Sequence, residues 1–472
     1  MAEGASAHNY TVDDEHYDVH VPGIGHSPTM AYMSCNGYSA PDFKDQDRFR
    51  VWRALARRHD LQDGSANSSG NSDETLSGET QIKPYQLLLL GGDQVYADAM
   101  KEKVPTIQEW FRRSWKSANR SSFTAKMRQQ LESFYFDLYV KEWSHPEVAR
   151  IFARVPSIAM WDDHDLIDGW GSYPEERQNC RVFQGLWDCA AKAFAVFQQH
   201  VNENEKRSGA IGDHPADWWQ IQLPDGAGQD QRDGAFSHGH VVGDVAIVAA
   251  DLRSQRSHSG QIVKRSHWDK IFEWIDNEAG AAKHLLFMSS IPAIYPDFAM
   301  LETALGWLPG NQDLEDDLRD HWSSVPHRGE RARLLNRLLA LAKREQPIRA
   351  TIVSGDVHIA ALATLHSKRD RSAGQDTEIA QLISSGIVHP GPGGIVLFAL
   401  KTLFNLDVVV DDNVTGEMQY FPGTQSSIAG KRNYLSIEPD LPEHGNRLWC
   451  NWIVEDQPYV YTKVIQPIVT NG

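Results

Sequence analysis

Several segments of the chain place side chains that can bind metal ions directly after short apolar runs. Asp93, Asp163 and Asp356 supply carboxylates in this way, and His358 adds an imidazole. Oxygen donors with one imidazole suit hard or borderline cations rather than a thiolate zinc site. Clustered carboxylates repel one another unless a cation neutralises them, and a glycine before Asp93 and before Asp356 lets the backbone approach closely. The pattern favours a two-metal centre in which Asp93 is the candidate bridge.

Six apolar runs of strand length end in polar residues of this kind. They are residues 30–33 before Ser34-Cys35-Asn36, 86–90 before Gly91-Gly92-Asp93, 157–160 before Trp161-Asp162-Asp163-His164, 245–250 before Asp251-Leu252-Arg253, 284–288 before Ser289-Ser290, and 350–353 before Ser354-Gly355-Asp356-Val357-His358. Helical periodicity predicts helices over 123–143, 182–204 and 329–344. Strands that alternate with helices predict an α/β fold, in which ligands bind at the carboxyl ends of the strands. We expect the six ends to share one site, although a single Asp there is more often a turn or helix cap.

Composition excludes several other classes of protein. The 472 residues carry 46 Lys and Arg against 63 Asp and Glu, a net charge of -17, without a basic stripe for a nucleic-acid-binding surface. Four scattered cysteines favour neither a disulfide framework nor a zinc ribbon. Residues 1–18 lack the layout of a signal peptide, and no apolar window is long enough for a membrane span. These features predict a cytoplasmic protein.

The distribution of apolar residues and glycines along the chain predicts its domain organisation. Residues 1–29 are expected to form an N-terminal extension and 30–472 a single domain, with a disordered surface loop at 62–83 where apolar residues are almost absent. The glycine-rich stretch 223–234 predicts a hairpin connection. The apolar run 395–404 contains Lys401 and favours a helix packed on the domain.

The ordered blocks resemble those of PhoD-like alkaline phosphatases, within the calcineurin-like metallophosphoesterase superfamily. The blocks that carry the resemblance are Ser34-Cys35-Asn36-Gly37, Gly92-Asp93-Gln94-Val95-Tyr96-Ala97-Asp98, Trp161-Asp162-Asp163-His164-Asp165, Asp251-Leu252-Arg253 and Ser354-Gly355-Asp356-Val357-His358. Each block alone is weak evidence for this family, but the complete set in this order is strong evidence. The resemblance implies a four-layer α/β/β/α sandwich with two mixed sheets flanked by helices.

The resemblance also implies a set of metal ligands. Cys35, Asp93, Tyr96 and His358 would hold a ferric ion, and Asp93 would bridge to a divalent cation held by Asp163 and Asp356. Calcium is the divalent cation that the family uses, and Mn²⁺, Mg²⁺ and Zn²⁺ are alternatives. Thiolate and phenolate are anionic donors that favour a trivalent ion. The alternatives are that Cys35 is a small buried apolar residue and that Tyr96 is part of the core.

Three further residues are assigned to the substrate. His164 matches a family position that faces the substrate, either as a hydrogen-bond donor that orients the phosphate or as the acid for the leaving alkoxide. Arg253 is the best candidate for a phosphate clamp, because a guanidinium can bind two phosphoryl oxygens at once, and Arg256 is the second choice. Asp251 is expected to orient Arg253 through a salt bridge. The other acidic residues of these blocks, Asp98, Asp162 and Asp165, either support the ligands or belong to turns.

Two departures from the superfamily pattern affect the ligand set. Cys35 stands near the position of the usual first aspartate, and Ser289-Ser290-Ile291-Pro292 replaces an expected histidine. The predicted function is hydrolysis of a small-molecule or lipid phosphate monoester by metal-bound hydroxide at a dinuclear centre. Alternatives are a phosphodiesterase acting on a nucleotide or lipid head group, and a non-catalytic metal-binding scaffold. The oligomeric state and the role of the segment after residue 385 stay open.

Overall fold

A computed structural model describes residues 6–12, 14–38, 47–60, 84–201, 236–258, 260–295, 322, 327–373, 376–403, 407–440 and 442–469. Its strands are β1 (Ser6–Val12), β2 (Glu15–Val21), β3 (Met30–Met33), β4 (Leu87–Gly91), β5 (Ser157–Met160), β6 (His238–Val242), β7 (Val245–Ala250), β8 (His284–Ser289), β9 (Arg349–Ser354), β10 (Ala360–Ser367), β11 (Ile379–Ser384), β12 (Val408–Val409), β13 (Val414–Gln419), β14 (Ile428–Ala429), β15 (Asn433–Pro439), β16 (Leu448–Val454) and β17 (Tyr461–Ile465).

These strands form two large mixed sheets and one exposed hairpin. One sheet has the strand order β17-β16-β15-β3-β4-β5, and the other has the order β12-β13-β10-β11-β9-β8-β7-β6 with β14 paired to β10. Parallel pairing joins β3 to β4 and β4 to β5 in the first sheet, and β7 to β8, β8 to β9 and β9 to β11 in the second. The hairpin β1-β2 lies within the predicted extension. The mixed α/β class predicted from the sequence is therefore confirmed.

The predicted long helices form, with shifted ends. The helices are α1 (Arg50–Asp60), α2 (Met100–Lys103), α3 (Pro105–Phe111), α4 (Trp115–Asn119), α5 (Ala125–Trp143), α6 (Pro146–Phe152), α7 (Glu175–Gln178), α8 (Arg181–Phe197), α9 (Arg265–Asn277), α10 (Arg328–Ala340), α11 (Lys368–Ser372) and α12 (Gly394–Leu403). The predicted helix over 182–204 ends early, at Phe197, and His200 follows in the left-handed region at φ 56°. The loop predicted at 62–83 and the connection predicted at 223–234 lie outside the described residues.

The central strands of the two large sheets are buried on both faces. Along β7, Ile247 faces an apolar cluster that it shares with Leu89 of β4, whereas its neighbour Val248 faces Ile271 of α9. On the first sheet, Leu90 packs on the side of α1. Parallel strands buried on both faces read as continuous apolar runs, which is why these segments were recognisable in the sequence. Within the described segments, no helix is long and apolar enough to cross a bilayer.

The carboxyl ends of the parallel strands meet where the two sheets touch. After β8, the carbonyl of Ser290 accepts a hydrogen bond from the amide of Gly355, which follows β9, at 3.0 Å. Between the sheets, the indole of Trp161 donates to Asp251 Oδ1 at 3.0 Å. The loops that carry the predicted site are thus held at one shared edge, as the strand ends predicted.

Candidate metal centre

Four of the predicted metal ligands have a left-handed backbone. The φ angles are 55° for Cys35, 53° for Asp93, 70° for Asp356 and 53° for His358. A side chain in this region costs on the order of 1 kcal/mol or more per residue, and such strain concentrates at functional sites. Four strained residues at four predicted ligand positions single out this edge of the sheets as a site.

Two glycines allow the loops to approach this closely. Gly92 has φ +103°, and a Cβ there would lie 2.7 Å from Cβ of Asp162. A Cβ on Gly355 would lie 2.2 Å from Oγ of Ser34. Because both distances are far below van der Waals contact, a larger residue at either position would push the ligand loops apart.

Carboxylates from three loops converge beside these glycines. Asp93, Asp162, Asp163 and Asp356 each bring a ligand atom within 4.8 Å of the others, and Asp93 and Asp163 form a second such group with His164. Burial and the neighbouring carboxylates raise the pKa of Asp93 well above its usual value. A bound cation would relieve this repulsion, so cation binding and proton release are linked here.

Cys35, Tyr96 and His358 lie next to this acidic cluster. The Cys35 sulfur is 3.5 Å from Asp93 Oδ2. The hydroxyl of Tyr96 and Nε2 of His358 are buried, and neither has a hydrogen-bond partner among the described residues. Burial lowers the pKa of His358 well below its usual value, so its imidazole is neutral with a lone pair to share. Two buried, unpartnered donor atoms beside a buried cysteine sulfur fit the ferric ligand set that the resemblance implies.

The side chain of His164 is held against the ring of Tyr96. Its Nδ1 lies 2.6 Å from Asp98 Oδ2, and its ring stacks on that of Tyr96 with centroids 4.3 Å apart. Burial alone would lower the pKa of His164, but Asp98, Asp163 and Asp93 raise it well above its usual value. These three carboxylates therefore favour the protonated form of His164. Asp98, which the sequence left open, holds this side chain in place.

Arg253 contacts two carboxylates of the acidic cluster. Its guanidinium pairs with Asp162 through Nε and with Asp163 through Nη2, the latter at 3.1 Å. Asp251 accepts from the backbone amide of Arg253 at 3.0 Å, so it orients the chain rather than the guanidinium. Arg256 is 1% exposed, and its aliphatic carbons pack against Gly171. The phosphate contacts predicted for the two arginines stay predictions.

Comparison with known proteins gives the family of this site. The PhoD related phosphatase family matches residues 73–309 and 307–420, which is most of the chain. The chain belongs to this family. The Saccharomyces cerevisiae protein named "Uncharacterized protein YGR266W" is 26% identical over an alignment of 406 residues, and the match covers 77% of this chain and 54% of the yeast protein. The chain thus spans about half the length of that relative.

A solved structure of PhoD has a similar fold. The match covers 96% of this chain and 71% of the PhoD chain, with a TM-score of 0.51 and 14% sequence identity. At that identity the likeness concerns the fold alone. It agrees with the two mixed sheets and the flanking helices of this PhoD-related chain.

Asp162 and Asp165 have larger roles in this PhoD-related site than the sequence could assign. Asp165 accepts hydrogen bonds from the amides of Asp93 and Asp162, at 2.8 and 2.9 Å, and from those of Gln94 and Val95. It thereby fixes two ligand loops to each other. Asp165 lies three residues after Asp162, and the two side chains form a capping box. This spacing is the sequence pattern from which the role of Asp165 could have been inferred.

Ser290 occupies the place of the missing histidine. Its hydroxyl donates to Asp162 Oδ1 at 2.9 Å. Asp162 belongs to the acidic cluster, so the Ser290 hydroxyl supports one of its carboxylates. No local sequence pattern predicts the hydrogen bond between Ser290 and Asp162, because the two residues are 128 positions apart.

Two further residues come from the segment after β11. The ring of His389 stacks on His358 with centroids 3.6 Å apart and lies 5.9 Å from the ring of Tyr96. The hydroxyl of Ser385 accepts from the amide of His358 at 3.0 Å. The segment after residue 385, whose role the sequence left open, therefore packs directly against two predicted ferric ligands.

Proposed function

We propose that the chain hydrolyses phosphate monoesters at a dinuclear metal centre. The observation that carries this proposal is the convergence of strained candidate ligands, buried or half-buried, at one sheet edge in a member of a phosphatase family. The converging residues would hold two cations, which would supply charge for the phosphoryl oxygens and lower the pKa of water, so a serine nucleophile is not needed.

The proposed ligand set has two halves that share Asp93. Cys35, Tyr96 and His358 would complete a ferric half, since thiolate, phenolate and imidazole suit a trivalent ion. Asp163 and Asp356 would complete a half for a divalent cation, which we propose to be calcium because its donors are oxygens. Asp162 lies close enough to join the second half.

His164 and Arg253 would act on the substrate itself. His164, held by Asp98, would give its proton to the leaving oxygen of the ester. Arg253 pairs with Asp162 and Asp163, and its guanidinium would act as the clamp for the phosphoryl oxygens. Arg256, buried beside Gly171, would take part in the same binding.

An activity and metal survey of the purified protein tests this function. We expect hydrolysis of p-nitrophenyl phosphate that is lost on chelation and returns with added metal. Faster cleavage of the bis-p-nitrophenyl diester would favour the phosphodiesterase alternative. Metal-replete protein that cleaves neither ester would contradict the proposal and support a non-catalytic scaffold.

The ferric half has a spectroscopic test in Tyr96. A phenolate bound to ferric iron gives a visible charge-transfer band, so the protein as isolated should be coloured. Tyr96→Phe should lose or strongly shift this band, whereas the control Tyr38→Phe, near the ring of His389, should keep it. Colourless, iron-free and fully active wild-type protein would rule out the ferric assignment.

We also propose that residues 30–472 form one domain in four layers, with residues 1–29 as an extension. Apolar clusters between the two large sheets and on the outer side of each support this arrangement. The pairing of β3 with β15 joins the beginning of the proposed domain to its last strands.

A further inference from the structure

Ser385 touches two of the proposed ferric ligands at once. Its Oγ is 3.1 Å from the sulfur of Cys35 and 3.0 Å from the backbone amide of His358. The side chain is fully buried. One hydroxyl therefore links ligand residues that are more than 300 positions apart in the sequence.

The direction of these hydrogen bonds follows from the number of protons available. The amide of His358 donates to Ser385 Oγ, which leaves the single hydroxyl proton of Ser385 for another acceptor. A cysteine that binds a metal is a thiolate and can only accept. The second hydroxyl beside this sulfur belongs to Ser34, and it donates to the carbonyl of Ser384 at 3.4 Å. The Ser385 hydroxyl is closer to the sulfur than that of Ser34, at 3.1 against 3.5 Å, and is thus a donor to a Cys35 thiolate.

The backbone around Ser385 is fixed by bonds that do not involve its hydroxyl. The amide of Ser385 donates to the carbonyl of Ile359 at 3.1 Å, and its carbonyl accepts from Asn433 Nδ2 at 2.7 Å. Two residues further on, the amide of Ile387 donates to the carbonyl of Ser34 at 3.1 Å. Removing the hydroxyl should therefore leave the segment in place.

We propose that Ser385 is a positioning residue of the ferric half, which donates to the Cys35 thiolate and holds the backbone of His358. This inference rests on the ferric centre of the proposed function. A hydrogen bond to a sulfur ligand withdraws electron density from the metal and raises its reduction potential. Without the hydroxyl, the thiolate donates more charge, and the ferric state becomes harder to reduce.

The experiment compares Ser385→Ala with Ser384→Ala, each purified with its metals. Ser384 is a matched control because it is equally buried and its hydroxyl bonds to Asn433 Oδ1, at 2.6 Å, instead of to a ligand. We expect Ser385→Ala to show a more negative ferric reduction potential, a charge-transfer band at shorter wavelength, and iron affinity lower by about 10- to 100-fold. Ser384→Ala should match the wild type in all three. Ser385→Thr, which keeps a hydroxyl, should recover the wild-type potential.

The outcomes separate this inference from the function on which it rests. If wild-type protein is coloured and holds iron, but its potential and band are the same in Ser385→Ala, the role of Ser385 is wrong and the ferric centre stands. If active wild-type protein holds no iron, both the ferric centre and the role of Ser385 are wrong. Equal shifts in Ser385→Ala and Ser384→Ala would also overturn the inference, since they would reflect general loosening of the segment.

Discussion

Replacing Asp93 by asparagine should lower kcat/KM for a phosphate ester by about 10⁴-fold, equivalent to roughly 5.5 kcal/mol of transition-state stabilisation. Asp93 belongs to both groups of converging ligand atoms, and its Oδ2 lies 3.5 Å from the Cys35 sulfur. An amide removes one negative charge from the place that the two halves share. We therefore expect both metals to fall in elemental analysis of Asp93→Asn.

The control for this variant is Asp188→Asn on α8. Asp188 pairs with Arg128 at 3.0 Å, away from the centre, and its replacement should leave activity and metal content unchanged. Should Asp93→Asn lose only one of the two metals while the other stays at full occupancy, Asp93 would not be the bridge.

Replacing His164 by alanine should lower kcat by about 10² to 10⁴-fold, the range expected for a lost general acid, while both metals stay bound. The side chain of His164 contacts Asp98 and Tyr96 and is not needed to complete either proposed ligand set. Turnover of an alkyl phosphate, whose alkoxide leaving group needs a proton, and elemental analysis of the same preparation would check both parts of this expectation.

Two further variants distinguish a residue that binds metal from one that acts on the substrate. Asp98→Asn removes the partner of His164 and should cost about 10- to 100-fold in activity, as other supporting residues do. Asp163→Ala should lose divalent metal together with activity, and added metal should partly restore the rate. Loss of metal in His164→Ala but not in Asp163→Ala would reverse the roles assigned to these neighbours.

Secondary structure was readable from the sequence wherever one local rule decided it. The strands at Met30–Met33 and Ser157–Met160 have the predicted bounds, because an apolar run ends there in polar residues. The end of α8 was missed because amphipathic spacing continues past Phe197, while the left-handed His200 stops the helix. Periodicity carries no information about that backbone turn.

The site was readable only in part, for a related reason. Asp93 and Asp356 could be predicted as site residues, because each follows an apolar run of strand length and a glycine. Ser385 and Ser290 are ordinary residues in the sequence, and only tertiary structure places their hydroxyls on Cys35 and Asp162. A long-range contact made by a common residue leaves no local pattern from which to infer it.

The position of β3 within its sheet sets an order for biosynthesis. This strand leads into Cys35, yet it pairs on one side with β4 and on the other with β15, near the far end of the chain. During translation, Cys35 emerges from the ribosome long before β15 exists to complete its sheet. Domains fold as units once their sequence is available. We therefore expect the proposed ferric centre to bind iron only after this region has been synthesised, and chains truncated before Asn433 should hold none.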